Sequence, residues 1–203
     1  MVHHRLPDRC ARQVRHLRPG RPALSDIQPD TKDWTWVLQR PCPDCGFDPV
    51  TVHPTAVAGH IRRDAADWEL RLARPGVRSR PAPGVWSNLE YGCHIRDVHR
   101  IFDHRVQLML GQTDPQFPNW DQDATAIADD YGGQDPTTVA GELRAAADAV
   151  AQRYDSVPEE GWDRRGLRSN GSEFTVATIA VYHLHDIVHH AWDVSTGAHE
   201  PGA

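Results

Sequence analysis

The sequence predicts an all-α fold, a four-helix bundle with long connecting loops. Three observations predict it. Apolar residues recur at helical spacing over four segments of roughly 20 residues, each about 30 Å long as a helix. No alternating pattern longer than a few residues marks a strand. Capping and stop residues bracket the segments. The chain has 203 residues and a mass of 22.8 kDa, which suits one domain with a core of its own. Hydrophobic residues make up 39% and charged residues 25%, the balance of a globular protein. No stretch approaches the roughly 20 apolar residues of a membrane helix, so no membrane partner is expected. The net charge of −6 argues against a nucleic-acid partner.

The segments follow in order. Residues 1–30 stand apart from the domain at 31–203. Arg9, Arg12, Arg15, Arg18 and Arg21 recur among four prolines with few apolar residues. They read as a disordered basic leader or an upstream start site, with a basic tail for RNA or phospholipid as the alternative. No apolar run follows that would make a signal peptide, so the expected location is cytoplasmic, with Cys10, Cys42, Cys45 and Cys93 as reduced thiols. Asp48-Pro49 offers an N-cap with proline at the first helical position, and predicts a helix to about Ala73. After a proline-rich link at residues 80–84, Ser87 and Glu90 form a capping box. It opens a second helix that ends at Gly111. Residues 114–134 read mostly as loop. Asp135-Pro136 caps a third helix that ends near Asp155. Residues 158–172 are polar and turn-rich. The last helix is predicted from about Phe174 to Val194.

The last helix is rich in histidine. His185 and His189, four apart, fall on one face, where two imidazoles can reach one metal ion. Both sides of this helix look buried, and buried imidazoles need a partner at each ring nitrogen. His94, on the second helix, is the candidate third ligand. Glu90 and Asp97 lie within a turn of it, where either can accept its second ring proton. Alternatively, Glu90 is only the capping residue, and Asp97 pairs with Arg96 or Arg100. His99 and His104 fall off this face and read as surface residues. Cys93 reads as packing.

These residues resemble the DinB-like superfamily, and a branch of it found in actinobacteria. The likeness rests on Trp86-Ser87, Glu90-Tyr91, Cys93-His94 through Asp97-Val98, and residues 119–125. It rests also on His185-Asp186-x-x-His189-His190-x-Trp192-Asp193-Val194. It spans about residues 31–196. The resemblance implies a four-helix bundle holding a divalent metal, zinc first and nickel or iron next, on His94, His185 and His189. Three protein ligands leave positions open for chemistry. It also implies an enzyme that uses a small thiol such as mycothiol for S-transfer or isomerisation of an electrophilic small molecule. A metal favours the reactive thiolate. A metal-dependent hydrolase and a non-catalytic metal-binding stress protein are the rival readings, and a homodimer is compatible. Glu90, Asp97 and Tyr182 are the candidate acid–base residues. Arg164 and Arg168, ahead of the last helix, are candidates for the carboxylates of a thiol cofactor, or are ordinary loop charges.

Two further motifs have competing readings. Cys42-Pro43-Asp44-Cys45-Gly46 resembles a zinc knuckle, but a closed site needs four ligands. No second CxxC exists, and His53 and His60 would share a helix at a spacing of seven. The motif therefore reads as a structural loop, with a second metal site or a redox pair as alternatives. The run Asn119-Trp120-Asp121-Gln122-Asp123 either closes over the metal mouth or is a capped loop pinned by Trp120.

Overall fold

The structure, a computed structural model, describes residues 32–196. The leader assigned to residues 1–30 lies outside the described residues, as do residues 197–203. Four long helices carry the fold: α1 (Val57–Leu72), α2 (Asn88–Gly111), α4 (Pro136–Asp155) and α5 (Val176–Thr196). A short α3 (Gln122–Ala128) lies against α2. The bundle runs α1–α4–α2–α5 around its circumference, with α1 and α2 on one diagonal.

Ion pairs and hydrogen bonds fix the helix directions. Arg62 meets Asp155 and Arg144 meets Glu69, so α1 and α4 are antiparallel. Arg96 meets Glu142 and Arg153 meets Asp103, so α2 and α4 run the same way. His94 meets His190 and His99 meets His183, so α5 runs against α2. Parallel neighbours require a long crossover, and residues 112–135 supply it between α2 and α4.

Local chemistry explains most helix ends. Ser87 accepts from Glu90 N, and the Glu90 carboxylate accepts from Ser87 N, closing the expected capping box. Asp135 accepts from Thr138 N ahead of Pro136. Gly92 is packed so closely that a Cβ there would lie 2.8 Å from Leu72 Cδ2, so the end of α1 can approach α2 only over a glycine.

Several boundaries differ from the sequence expectation. Asp48 caps only one 3-10 turn, Pro49–Thr51, and α1 starts at Val57. Pro54 lacks an N–H and holds His53 extended at ψ 131°, which interrupts the helix. The segment 114–134 is less irregular than expected, since it holds α3 and a strand, β1 (Gln116–Phe117). β1 pairs in parallel with β2 (Arg165–Arg168), and β2 pairs antiparallel with β3 (Glu173–Thr175). Phe174 is thus a strand residue, and α5 begins two residues later. There Thr175 and Thr178 cap each other through their hydroxyls and backbone amides.

His99 is also corrected. It is fully buried, not on the surface, with Nδ1 3.0 Å from His183 Nε2. The opposite face of α2 is covered as well, so the helix buries residues all round its first three turns. Among the described residues, no helix is long and apolar enough to cross a membrane.

Candidate metal centre

The structure divides the three expected ligand histidines between two clusters on neighbouring faces of α5. His185 and His189 lie on one face and Asp186 and His190 on the next, about 100° further round the helix. His94 faces the second pair. In place of a His94–His185–His189 set, the groups that converge are His94, Asp186 and His190, and, beside them, Cys42, Cys45, His185 and His189.

In the first cluster, His94 Nε2 and His190 Nε2 lie 3.1 Å apart. Asp186 Oδ1 lies 3.3 Å from the His190 nitrogen and 3.8 Å from the His94 nitrogen. That oxygen is buried and makes no well-directed hydrogen bond, and His94 Nδ1 is buried without a partner. Three donors that converge on one point, one of them a buried carboxylate oxygen without a well-directed hydrogen bond, fit a divalent cation. Two imidazoles and one carboxylate are a donor set that suits zinc or iron(II).

The carboxylate behind His190 is Asp193. His190 Nδ1 donates to Asp193 Oδ2 at 3.0 Å, which leaves Nε2 to face the cluster. Tyr91 donates its hydroxyl to the same carboxylate. Burial works against charge on His190, but Asp186 and Asp193 on either side push its pKa up to about 10. Burial alone would raise Asp186, yet the imidazoles of His190 and His94 hold it well below the usual carboxylate range. The two carboxylates thus favour a positive charge at this point of the cluster, a proton or a bound cation.

The other expected site residues have different tasks. Glu90 accepts from Ser87 and from both Nε and Nη2 of Arg80, so it does not orient His94. Asp97 is occupied by Arg96, Arg100 and the Tyr131 hydroxyl. Neither takes the second ring proton of His94, whose Nδ1 has no partner. Tyr182 packs between Phe102 and Phe174, under the Arg168 guanidinium. Arg164 donates to Met109 O and Gln112 O, both at 2.6 Å, and so caps the C-terminus of α2. Arg168 is buried and bonds Asn170 and Ser172 within its own hairpin. The two arginines expected to bind a cofactor are thus internal braces. Their chain neighbours in space could not be read from their position ahead of α5.

The sequence names Asp186, His190 and Asp193 only within the motif of the family resemblance, without a role at the metal. Their signal was present as Asp186-x-x-x-His190 and His190-x-x-Asp193, one residue out of step with the histidine pair that was read.

The 119–123 loop is a capped loop, and Trp120 lays its ring against His94. Trp120 stacks on His94, with ring centroids 5.3 Å apart and an 8° interplanar angle. Its indole N–H donates to Thr125 Oγ1, and Asp121 caps α3 through Ala124 N. Trp120 also forms one wall of a cleft of about 390 Å³, lined further by Ile101, Phe117 and Arg105. Arg105 is 6% exposed, sits over the rings of Phe102 and Phe117, and donates to Pro118 O. No carboxylate among the described residues forms an ion pair with it. Burial, and then Arg168, lower its pKa to about 10.

The comparisons with known proteins agree with this architecture. YfiT from Bacillus subtilis, described as a probable metal-dependent hydrolase with an unusual four-helix bundle topology, has a similar structure with a TM-score of 0.60. The likeness covers 71% of this chain and 87% of that one at 15% identity, so it shows the fold alone. No curated protein matches the sequence. Residues 71–194, which include α2, α4 and the whole of the His94–Asp186–His190 cluster, match the DinB superfamily, and the chain belongs to that family.

Proposed function

We propose that this protein is a divalent-metal-dependent hydrolase acting on a small anionic substrate. The observation that carries the reading is the convergence of His94 Nε2, His190 Nε2 and Asp186 Oδ1, with Asp193 fixing the ring behind them. A divalent ion held by three protein donors supplies a Lewis acid and lowers the pKa of a water at an open position. The chain's own residues then have distinct parts. Asp193 keeps the proton of His190 at Nδ1. Trp120 covers the outer face of His94 and limits access of bulk water. Arg105, buried without a carboxylate, meets the negative charge of a substrate lying in the cleft beside Trp120. The description of YfiT as a probable hydrolase supports the same class of reaction.

The small-thiol reading has less to stand on, because Arg164 and Arg168 brace the scaffold. The same assay tests it. The zinc- and iron-loaded protein is offered carboxylate-bearing esters and amides, with and without added thiol. Metal-dependent hydrolysis without thiol is expected, lost in Asp186→Asn. Arg105→Met is expected to raise KM about tenfold or more with a smaller change in kcat, as for one charge-assisted contact. Turnover of an electrophile only when thiol is present would replace hydrolysis with thiol transfer.

A further inference from the structure

We propose that Cys42, Cys45, His185 and His189 form a second, closed zinc site that staples the segment ahead of α1 to α5. The four donor atoms lie within 4.8 Å of one another. Cys42 Sγ is 3.7 Å from His189 Nδ1. Donors around a tetrahedral zinc, with Zn–S near 2.3 Å and Zn–N near 2.0–2.1 Å, stand about 3.3–3.8 Å apart. Two thiolates and two imidazoles, from C-x2-C and H-x3-H, are a complete ligand set for a structural zinc.

The turn that presents the cysteines is shaped for it. Cys42 N donates to Phe47 O at 2.8 Å, and Gly46 N donates to Cys42 O at 3.0 Å. Gly46 has φ +74°, a conformation that favours glycine, and it lets the chain double back so that both sulfurs face the same way. The histidines are set from behind. His189 Nε2 lies 3.8 Å from Asp193 Oδ1, which favours a proton there and leaves Nδ1 free beside Cys42. His185 is 2% exposed, and its Nε2 is buried with no hydrogen-bond partner. Such an atom is costly unless a ligand meets it.

The surroundings make the site structural. Trp34 lies over both imidazoles, with ring centroids 5.6 Å from His185 and 4.8 Å from His189. Phe47 meets the edge of His185, and Trp192 covers His189. With four protein donors and an aromatic shell, no position is left for a substrate. Asp193 touches both clusters, through His189 on one side and His190 on the other. The closed site would thus set the rotation of α5 that the first cluster needs.

The test separates the two centres by working in His94→Ala, which lacks a donor of the other one. One zinc per chain is expected to remain, and cobalt in its place is expected to give a thiolate-to-metal charge-transfer band. Adding Cys42→Ser and Cys45→Ser removes both the zinc and the band. Should that variant fail to fold, a mercurial titration of His94→Ala replaces it, with zinc release tracking modification of two thiols. Zinc retained without the cysteines, or a Cys42–Cys45 disulfide in anaerobically purified protein, overturns the proposal. So does mercurial modification that releases no zinc. Loss of hydrolysis with this zinc intact bears only on the other centre.

Discussion

At the scale of single residues, Asp193 does more than its position near the end of α5 suggests. Its two oxygens face His189 and His190, and Tyr91 holds it in place. Asp193→Asn keeps the shape and removes the charge. Metal affinity, measured by competition with a chelator, is expected to weaken about 10–100-fold, the usual effect of removing a carboxylate behind a ligand. Unchanged affinity would show that the carboxylate orients neither ring. Sequence reasoning seeks an orienting carboxylate for His94 instead, at Glu90 or Asp97, because both are within a turn of it. Its alternative, Asp97 paired with Arg96 or Arg100, holds for both arginines, but it did not show Arg80 on Glu90 or the Tyr131 hydroxyl on Asp97. Arg80 and Tyr131 reach these carboxylates from outside α2, so spacing along the helix does not reveal them. The pair His185/His189 was legible, but a shift of one residue turns a side chain by about 100°. Which face of α5 meets His94 is decided by how the helix is rotated against α2.

At the scale of elements, ends governed by local hydrogen bonds were legible and ends governed by distant partners were not. The capping box of α2 is buried and complete, with the Ser87 hydroxyl engaged by Glu90 in both directions. Ser87→Ala is expected to lower stability by about 1–2 kcal/mol, near the upper end for a cap. Denaturant midpoints with an unchanged slope would check it. Gly92→Val places branched carbon against Leu72, which already lies 2.8 Å from a Cβ position. A loss of about 1–3 kcal/mol is expected from overpacking. The strands were missed because each is two to four residues long and β1 pairs with β2 across the whole of α3 and α4. No periodicity exists over so few residues. The start of α1 was placed too early because Asp48-Pro49 is a good cap for whatever turn follows. Pro54 decides that the turn is short.

At the scale of the whole molecule, the bundle interior carries a neutral histidine pair that makes stability depend on pH. His99 and His183 bond each other, and the Tyr154 hydroxyl sits 3.3 Å from His183 Nδ1. Burial lowers the His99 pKa from 6.5 to about 3. Between those values the unfolded chain binds more protons than the folded one. The contribution to stability is therefore complete above about pH 6.5 and is lost as pH falls toward 3, at up to about 1.4 kcal/mol per pH unit. Denaturant titrations from pH 7.5 to 4.5 should show at least that slope, and His99→Gln should reduce it by up to that amount, leaving the share of His183, which burial also holds well below the usual imidazole range. A wild-type curve already flat over this range would mean that the pair takes up protons without unfolding.

The fold class, four of the helices and most of their ends were legible in the residues alone. The buried histidines of α5 were legible too, and His94 on α2 was offered as their partner. These follow from periodicity and capping, which act within a few residues of chain. Packing of the helices sets His94 opposite Asp186 and His190, and brings Cys42 and Cys45 to His185 and His189. It alone made Arg164 a cap for α2 and left Arg105 in the wall of a cleft. Each of those contacts joins groups far apart in sequence. Their positions depend on helix rotation and packing, which no local pattern encodes.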